Sequence, residues 1–251
     1  MMQRVRMLIV ISLVFAVNCY QKADASMLTD NKITTMQPAR FVLNTSSQEQ
    51  PIELNFNNSD DFYPIYTNNN ITYVWAPTSK SSLINSFGTW HRGKEYLDEV
   101  VPEFKEGLMS LKYNTSAGGF FVNFKPLTDV SNTNLSKDTK AEIKGQISAT
   151  LDLKRDIGSS GRILVEIKYE NIDGQEKLKV VDITDEVKND GKWNTVSIST
   201  DVDIMIDDLL EEYPSFTLAV VIEGTKADLE PAQGTLHIDN ININPKLNLD
   251  L

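Results

Sequence analysis

The sequence predicts an all-β protein, an antiparallel sandwich or barrel with one or two short helices. From residue 108 onward, short runs that alternate apolar and polar residues recur about every ten residues, as in such folds. Turn signals such as DIGSSG, NIDGQ and KNDGK separate these runs. Only residues 95–101 and 201–214 have a spacing that suits a helix.

The predicted strands follow one another along the chain. Residues 51–56 (PIELNF) alternate apolar and polar side chains, which is typical of a half-buried strand. Residues 71–76 (ITYVWA) are β-branched and aromatic, whereas the Asn- and Asp-rich residues 57–70 predict a loop. The later strands are LMSLKYN, GGFFVNFKP, AEIKGQISATLDLK, GRILVEIKYEN, EKLKVVDIT, KWNTVSIST, FTLAVVIEG and GTLHIDNININ.

Two segments predict the short helices. Residues 95–101 would form a helix that ends before Pro102, because proline disfavours the helical conformation of the residue before it. In residues 201–214, Ile204, Leu209 and Leu210 would share one helix face, and Pro214 would end the helix. The irregular stretch SLINSFGTWHRGKEYLDEVVPEF, residues 82–104, predicts an insertion at one end of the sandwich.

The N-terminus carries the marks of an export signal. A basic start (MMQRVR) is followed by an apolar run, Met7 to Val17, that is too short to span a bilayer, and by the small-residue pattern ADAS. We therefore predict a signal peptide at residues 1–25, a polar tail or linker with one edge strand at 26–50, and the sandwich at 51–251. The protein is expected to be secreted or extracytoplasmic, in the periplasm or at the cell surface.

Charge and cysteine content exclude several classes of function. The net charge of −11 argues against nucleic acid or an anionic membrane as a partner. No apolar run after the signal approaches the roughly 20 residues of a membrane-spanning helix, so no membrane insertion is expected. Cys19, the only cysteine, lies within the signal, so the mature chain has neither a disulfide nor a cysteine nucleophile.

Three stretches between residues 108 and 245 resemble jelly-roll carbohydrate-binding modules and the wider galactose-binding-domain-like superfamily. SAGGFFVNFKPLTDVSNTN is similar to their Gly-rich strand, which runs into a Pro-then-Asp-x-Ser turn. KWNTVSIST is similar to their Trp-x-x-Val-x-Ile strand, which implies a framework role for Trp193. GTLHIDNININ is similar to their closing strand. The resemblance implies a jelly-roll β-sandwich that binds carbohydrate.

The resemblance also implies a structural calcium ion at the closing strand. Asp239 would be one ligand, and Glu53 or Asn55 on the opening strand would supply another, since calcium takes carboxylate and carbonyl oxygens. In the alternative interpretation, Asp239 and Asn240 cap a bulge or bond backbone groups at a sheet edge.

Aromatic residues between positions 62 and 96 supply the candidate sugar platform. Trp90 is the leading candidate because Gly88, Gly93 and charged neighbours predict an exposed loop around it. The other candidate ligand-binding residues are His91, Arg92, Tyr96 and Trp75. Tryptophan in a strand more often fills the core, and this alternative applies to Trp75 more than to Trp90.

Catalytic patterns are weak in the sequence. No Ser/His/Asp order, HExxH motif or phosphate loop can be assembled, and His237 is expected to face solvent opposite Ile238. Acidic doublets are not evidence for a glycosidase pair, because adjacent strand residues point to opposite faces. We therefore predict no catalytic residues.

The sequence thus predicts an exported, non-catalytic carbohydrate-binding sandwich that recognises an extracellular or cell-surface glycan. A structural or interaction protein of the bacterial surface, similar to a flagellar sheath protein or an adhesin, is the first alternative. Such a protein would self-assemble or bind a surface partner. A polysaccharide-degrading enzyme is the second alternative.

Overall fold

A computed structural model describes residues 51–57, 61–68, 72–78, 83–92, 99–125, 140–171, 174–206, 215–224 and 230–250. The predicted signal peptide, the tail at residues 26–50 and Tyr96 lie outside these ranges. Within them there is no α-helix, and hence no helix long and apolar enough to cross a membrane.

Thirteen β-strands make up the described part of the chain. They are β1 (Ile52–Leu54), β2 (Phe62–Asn68), β3 (Thr72–Pro77), β4 (Ile84–His91), β5 (Glu99–Lys105), β6 (Leu108–Thr115), β7 (Ala117–Phe124), β8 (Ala141–Arg155), β9 (Arg162–Asn171), β10 (Gly174–Asp182), β11 (Trp193–Ile206), β12 (Ser215–Glu223) and β13 (Ala232–Asp250).

These strands form two antiparallel sheets, as predicted for a jelly-roll β-sandwich. Sheet A has the order β11-β8-β13-β6-β5, and β1 pairs with the C-terminal part of β13. Sheet B has the order β10-β9-β12-β7-β4-β3-β2. The opening strand therefore pairs with the closing strand, because Ile52 lies opposite Ile243 and Leu54 opposite Ile241.

The inner faces of the two sheets share one apolar core. Side chains alternate between the two faces along each strand, and those on the face toward the opposite sheet form this core. Its largest fully buried side chains are Phe87, Phe120, Phe124, Phe216, Leu54, Met109, Leu111, Ile143, Ile147, Leu151, Leu153 and Ile163.

Strand β2 occupies a segment that the sequence analysis predicted as loop, and that prediction is wrong. Residues 62–68 pair with β3, and the register shifts between Pro64 and Tyr66. β2 is the edge strand of sheet B. Proline is tolerated in an edge strand because one side of the strand forms no hydrogen bonds with a neighbour, so the N–H that proline lacks is not needed there. The surrounding Asn and Asp residues therefore flank a strand and do not replace it.

The predicted insertion is wrong for its described residues, and the first predicted helix is wrong for residues 99–101; residues 93–98 lie outside the described ranges. Residues 84–91 form β4, which lies between β3 and β7 inside sheet B, and residues 99–105 form β5 at the end of sheet A. Pro102 lies within β5 opposite Leu111. A two-residue turn joins β5 to β6, and both Glu106 and Gly107 have positive φ, as such hairpins require.

The second predicted helix is wrong for residues 201–206, which extend β11. Val202, Ile204 and Ile206 are buried, whereas the residues between them are exposed, so the period is two and not 3.6. Pairing with β8 over its full length holds this extension in the sheet. Residues 207–214 lie outside the described ranges.

The Asp–Asn interruption of the closing strand is a β-bulge. The register of β13 against β8 shifts between Asp239 and Asn242, and Asn240 has a φ of 46°. Asn240 suits this left-handed position, and the extra residue returns Ile241 and Ile243 to the core face already used by Ile238. The local backbone therefore matches the alternative interpretation, in which Asp239 and Asn240 form a β-bulge.

Candidate functional site

Trp90 lies on the outer face of sheet B, away from the core between the sheets. On β4 it pairs with Gly119 of β7, and its half-buried indole packs against Leu164, Ala219 and Val221. The predicted loop around Trp90 is wrong, because residues 84–91 are strand. A strand holds the indole more firmly than a loop would, which favours a pre-formed binding surface.

A second aromatic side chain, Phe121, lies beside Trp90 on the same face. Phe121 also packs against the outer apolar cluster, and it is half-buried. Gly88 makes room for its ring, since a Cβ at residue 88 would lie 3.0 Å from Cζ of Phe121 and 2.1 Å from the carbonyl oxygen of Tyr73. The glycine is therefore required by the close approach of both neighbours.

A row of hydrogen-bonded polar side chains crosses the same face. Ser86, Asn123 and Thr217 are cross-strand partners on β4, β7 and β12. Asn123 donates from Nδ2 to Oγ of Ser86 at 3.1 Å, and its Oδ1 accepts a hydrogen bond from Oγ1 of Thr217 at 2.7 Å. The two bonds fix the orientation of the carboxamide, so its polar atoms are held in place before any ligand arrives.

A buried carboxylate, Glu166, continues this polar surface on β9. Lys168 donates to its Oε2 at 2.8 Å and Lys177 donates to its Oε1. Burial is the largest influence on the pKa of Glu166 and would raise it, but the hydrogen bonds and charges of the two lysines together outweigh burial. The pKa therefore lies below its ordinary value, and Glu166 is ionised at neutral pH.

We call these eight residues the Trp90 surface: Ser86, Trp90, Phe121, Asn123, Glu166, Lys168, Lys177 and Thr217. It combines flat apolar rings with planar polar groups held in fixed positions. Sugars need both, because the C–H face of a pyranose packs on an aromatic ring while its hydroxyls exchange hydrogen bonds. The surface lies on strands, so its spacing is set by the sheet.

The other predicted ligand-binding residues do not join Trp90. His91 follows it on β4 but is buried on the opposite face, where it pairs with Gly118. Arg92 is exposed just beyond the strand, and its backbone N–H donates to the carbonyl of Ala117 at 2.9 Å.

Trp75 faces the inside of the sandwich. Its ring stacks on Phe87 at 5.7 Å and meets Phe104 of sheet A edge-on at 5.1 Å. With Phe56, Phe62, Pro64 and Phe104 it lines a cavity of about 180 Å³. Among these five side chains the only polar group is the indole N–H of Trp75, so they offer a sugar at most one hydrogen bond.

The structure gives the predicted calcium ligands no built site. Oδ1 of Asp239 accepts the backbone N–H of Asn240 at 2.8 Å, and Oδ1 of Asn55 accepts that of Asn57 at 3.4 Å. Glu53 is exposed and pairs with Asn242. Within the described residues no three acidic, histidine or cysteine side chains cluster to hold a metal ion. Calcium remains a prediction from the resemblance alone.

A second group of polar residues, which was not predicted from the sequence, lies on the outer face of sheet A. His237 faces outward as expected, but its two ring nitrogens lie 2.8 Å from Oγ of Ser110 and 3.0 Å from Oδ1 of Asp156. These residues come from β6, β13 and the loop after β8, so no local motif connects them. Trp193 is 44% exposed beside this group, and it is not part of the buried core.

Comparisons with known proteins find distant likenesses to solved structures. No protein-family model matches the chain, and no curated protein matches its sequence. The xylan-binding domain CBM22-1 of Xyn10C from Paenibacillus barcinonensis is 12% identical, with a TM-score of 0.36, over 78% of this chain and 94% of that chain. The family 11 carbohydrate-binding module of Clostridium thermocellum is 18% identical, with a TM-score of 0.34, over 63% and 88%.

A phage enzyme domain is also similar. The enzymatically active domain of tailspike protein 4 from bacteriophage CBA120 is 10% identical, with a TM-score of 0.35. The match covers 75% of this chain but only 20% of the tailspike chain. Likenesses this distant carry no argument about function, so the β-sandwich assignment depends on the two antiparallel sheets themselves.

Proposed function

We propose that this chain is an exported carbohydrate-binding protein that recognises an extracellular or cell-surface glycan through the Trp90 surface. The observation that carries the proposal is the row Ser86–Asn123–Thr217, pre-oriented by its own hydrogen bonds, beside the half-exposed rings of Trp90 and Phe121. Recognition of this kind needs no chemistry on the glycosidic bond. Export rests on the signal-like N-terminus.

Charge narrows the class of glycan. The chain is acidic, with a net charge of −11, so a polyanionic polysaccharide would be repelled over most of the surface. The lysines of the Trp90 surface are already engaged by Glu166, and this pairing neutralises the local charge in part. We therefore expect a neutral polysaccharide, whose hydroxyls meet the polar row while a sugar ring lies on Trp90.

Affinity electrophoresis tests the proposal. The mature protein is run through gels containing a neutral polysaccharide, with xylan and β-1,3-1,4-mixed-linked glucan as probes, and its retardation is compared with that of Trp90→Ala and Asn123→Ala. Both variants should lose most of the retardation. Trp193→Ala is the matched control, because it removes an exposed tryptophan from the other sheet and should migrate like wild type.

Three results would contradict the proposal. Equal retardation of wild type and Trp90→Ala would place binding elsewhere, and loss in Trp193→Ala alone would move it to sheet A. Concentration-dependent assembly with no retardation by either polysaccharide would favour the surface-structural alternative. Circular dichroism of each variant separates loss of binding from loss of fold.

A further inference from the structure

The arrangement of Ser110, His237 and Asp156 on sheet A goes beyond glycan binding. Ser110 and His237 are direct cross-strand partners on β6 and β13, and Asp156 follows the last residue of β8. The hydroxyl, the imidazole and the carboxylate form one continuous hydrogen-bonded chain, with distances of 2.8 and 3.0 Å.

Hydrogen-bond chemistry decides the direction of this chain. An ionised carboxylate can only accept, so Nε2 of His237 carries the proton that it donates to Asp156. In the neutral imidazole, Nδ1 is then the acceptor, and Ser110 must donate its hydroxyl proton to it. A serine hydroxyl aimed at a histidine lone pair, with the histidine oriented by a carboxylate, is the arrangement of an activated nucleophile and its base.

The loop that carries Asp156 is held firmly. The backbone N–H of Asp156 donates to the carbonyl of Thr235 at 3.1 Å. The buried guanidinium of Arg155 donates to the carbonyls of Ser159 at 3.2 Å and Gly161 at 3.1 Å. The carboxylate is therefore positioned by the sheet and by a buried cation, which limits its freedom to leave His237.

Apolar groups flank the same site. The Trp193 ring centroid is 6.4 Å from that of His237, and Nζ of Lys154 lies 5.3 Å from the Trp193 ring. Ile157, next to Asp156, is 82% exposed. Trp193 and Lys154 therefore lie on the side of His237 away from Ser110, because β8 and β11 follow β13 on one side in sheet A and β6 lies on its other side.

We propose that Ser110, His237 and Asp156 hydrolyse small carboxylic esters, with Ser110 as the nucleophile and His237 as its base. Oγ of Ser110 attacks the carbonyl carbon while its proton passes to Nδ1 of His237. The bond to the alcohol breaks as that proton moves to the leaving oxygen, and Ser110 is left acylated. Water then attacks the acyl group and gives a proton to Nδ1. The bond from the acyl carbon to Oγ breaks as Nδ1 returns that proton to Oγ, so the acid is released, Ser110 is regenerated and one water is consumed for each ester. Asp156 is a positioning residue.

The first test is chemical labelling of the wild-type mature protein. A fluorophosphonate probe reacts with an activated serine, and peptide mass spectrometry locates the adduct. We expect the label on Ser110. An unlabelled protein, or a label on another residue, overturns the proposal, and this test requires no variant to fold.

The second test is the release of p-nitrophenolate from p-nitrophenyl acetate. Ser110→Ala and His237→Ala should lower the rate about 100-fold or more, as is typical when a nucleophile or general base is removed. Ser199→Ala, which removes an exposed serine from the outer face of the same sheet, is the matched control and should keep the wild-type rate. A wild-type rate in Ser110→Ala would overturn the proposal.

Positioning by Asp156 has its own test. Asp156→Asn should lower the rate, and Asp156→Glu should restore part of it, because a carboxylate again orients the ring. If the two variants are equally slow, the carboxylate does not position His237. Ser110→Ala should keep polysaccharide retardation, so the ester chemistry and the Trp90 surface can succeed or fail independently.

Discussion

Trp75 and Trp90 lie on adjacent strands of sheet B but face opposite sides of it. Trp75 pairs with Phe87 and packs into the core, whereas Trp90 pairs with Thr72 and packs on the outer cluster. Successive side chains along a strand point to opposite faces of the sheet. Trp75 therefore lies on the inner face of sheet B, in the core, and Trp90 lies on its outer face, where a ligand could bind. Both tryptophans were predicted from the sequence as candidate ligand-binding residues.

This separation predicts different effects of two alanine substitutions. Trp75→Ala should lower the free energy of unfolding by about 3 kcal/mol, because it leaves a void beside Phe87 and Phe104. Trp90→Ala should cost less stability and lose most of the polysaccharide retardation. Urea denaturation and affinity electrophoresis of both variants check this. A larger loss of stability in Trp90→Ala than in Trp75→Ala would contradict the assignment of faces.

Ionised Glu166 should stabilise the folded protein, and this stabilisation should be lost at low pH. Its pKa in the folded state lies below the ordinary value of 4.5, so the ionised form is favoured by folding. That contribution is present in full above about pH 4.5 and is lost as the pH falls through the folded-state pKa.

Glu166→Gln tests this by removing the ionisable group. The variant should be less stable than wild type at pH 7, since Lys168 and Lys177 lose their shared partner, and the difference should narrow below about pH 4.5. Thermal unfolding from pH 3 to 7 measures it. Glu142→Gln, which breaks the more exposed pair with Lys144, is the control and should show little change. If the difference in stability between wild type and Glu166→Gln did not change with pH, ionisation of Glu166 would be excluded as its cause.

Arg155 should matter more to stability than its position at a strand end suggests. Arg155→Met would leave the carbonyls of Ser159 and Gly161 without their guanidinium donor, at a cost of about 2 kcal/mol. Arg162→Met, which removes an exposed arginine paired with Asp182, is the matched control and should cost less stability than Arg155→Met, because an exposed ion pair contributes little. Equal losses in urea denaturation would contradict the anchoring role of Arg155.

The bulge in β13 predicts that glycine at position 240 gives a more stable protein than alanine does. With a φ of 46°, this position accepts glycine, whereas alanine pays a steric penalty in the left-handed region. Asn240→Gly should therefore be more stable than Asn240→Ala by about 1 kcal/mol. Both variants lose the 3.0 Å hydrogen bond from Nδ2 to Asp152, so their comparison isolates the backbone. The reverse order in urea denaturation would exclude a left-handed residue at this site.

Strand prediction succeeded where local alternation was clean. Residues 51–56 and the runs after residue 108 gave the correct strands, because burial of one face imposes a period of two. It failed at Pro64 and Pro102, where proline argued against a strand. Both lie on strands at the end of a sheet, and only the sheet order reveals that position.

The candidate sites were predicted only in part. Trp90 was identified from its aromatic character, but Asn123, Thr217 and Glu166 carry no local signal that distinguishes them from other polar strand residues. Ser110, Asp156 and His237 are far apart in the chain, and only the strand register brings them within hydrogen-bonding distance.

The sequence by itself determined the strand-rich composition, the signal-like N-terminus, the acidic charge and the alternation that builds the core. Those properties depend on side-chain chemistry and on neighbours within a few residues. Tertiary structure decided which tryptophan faces the core, why Asp239 and Asn240 interrupt the closing strand, and which polar residues meet on each outer face. These outcomes depend on register between distant strands, since a shift of one residue would turn every side chain to the other face.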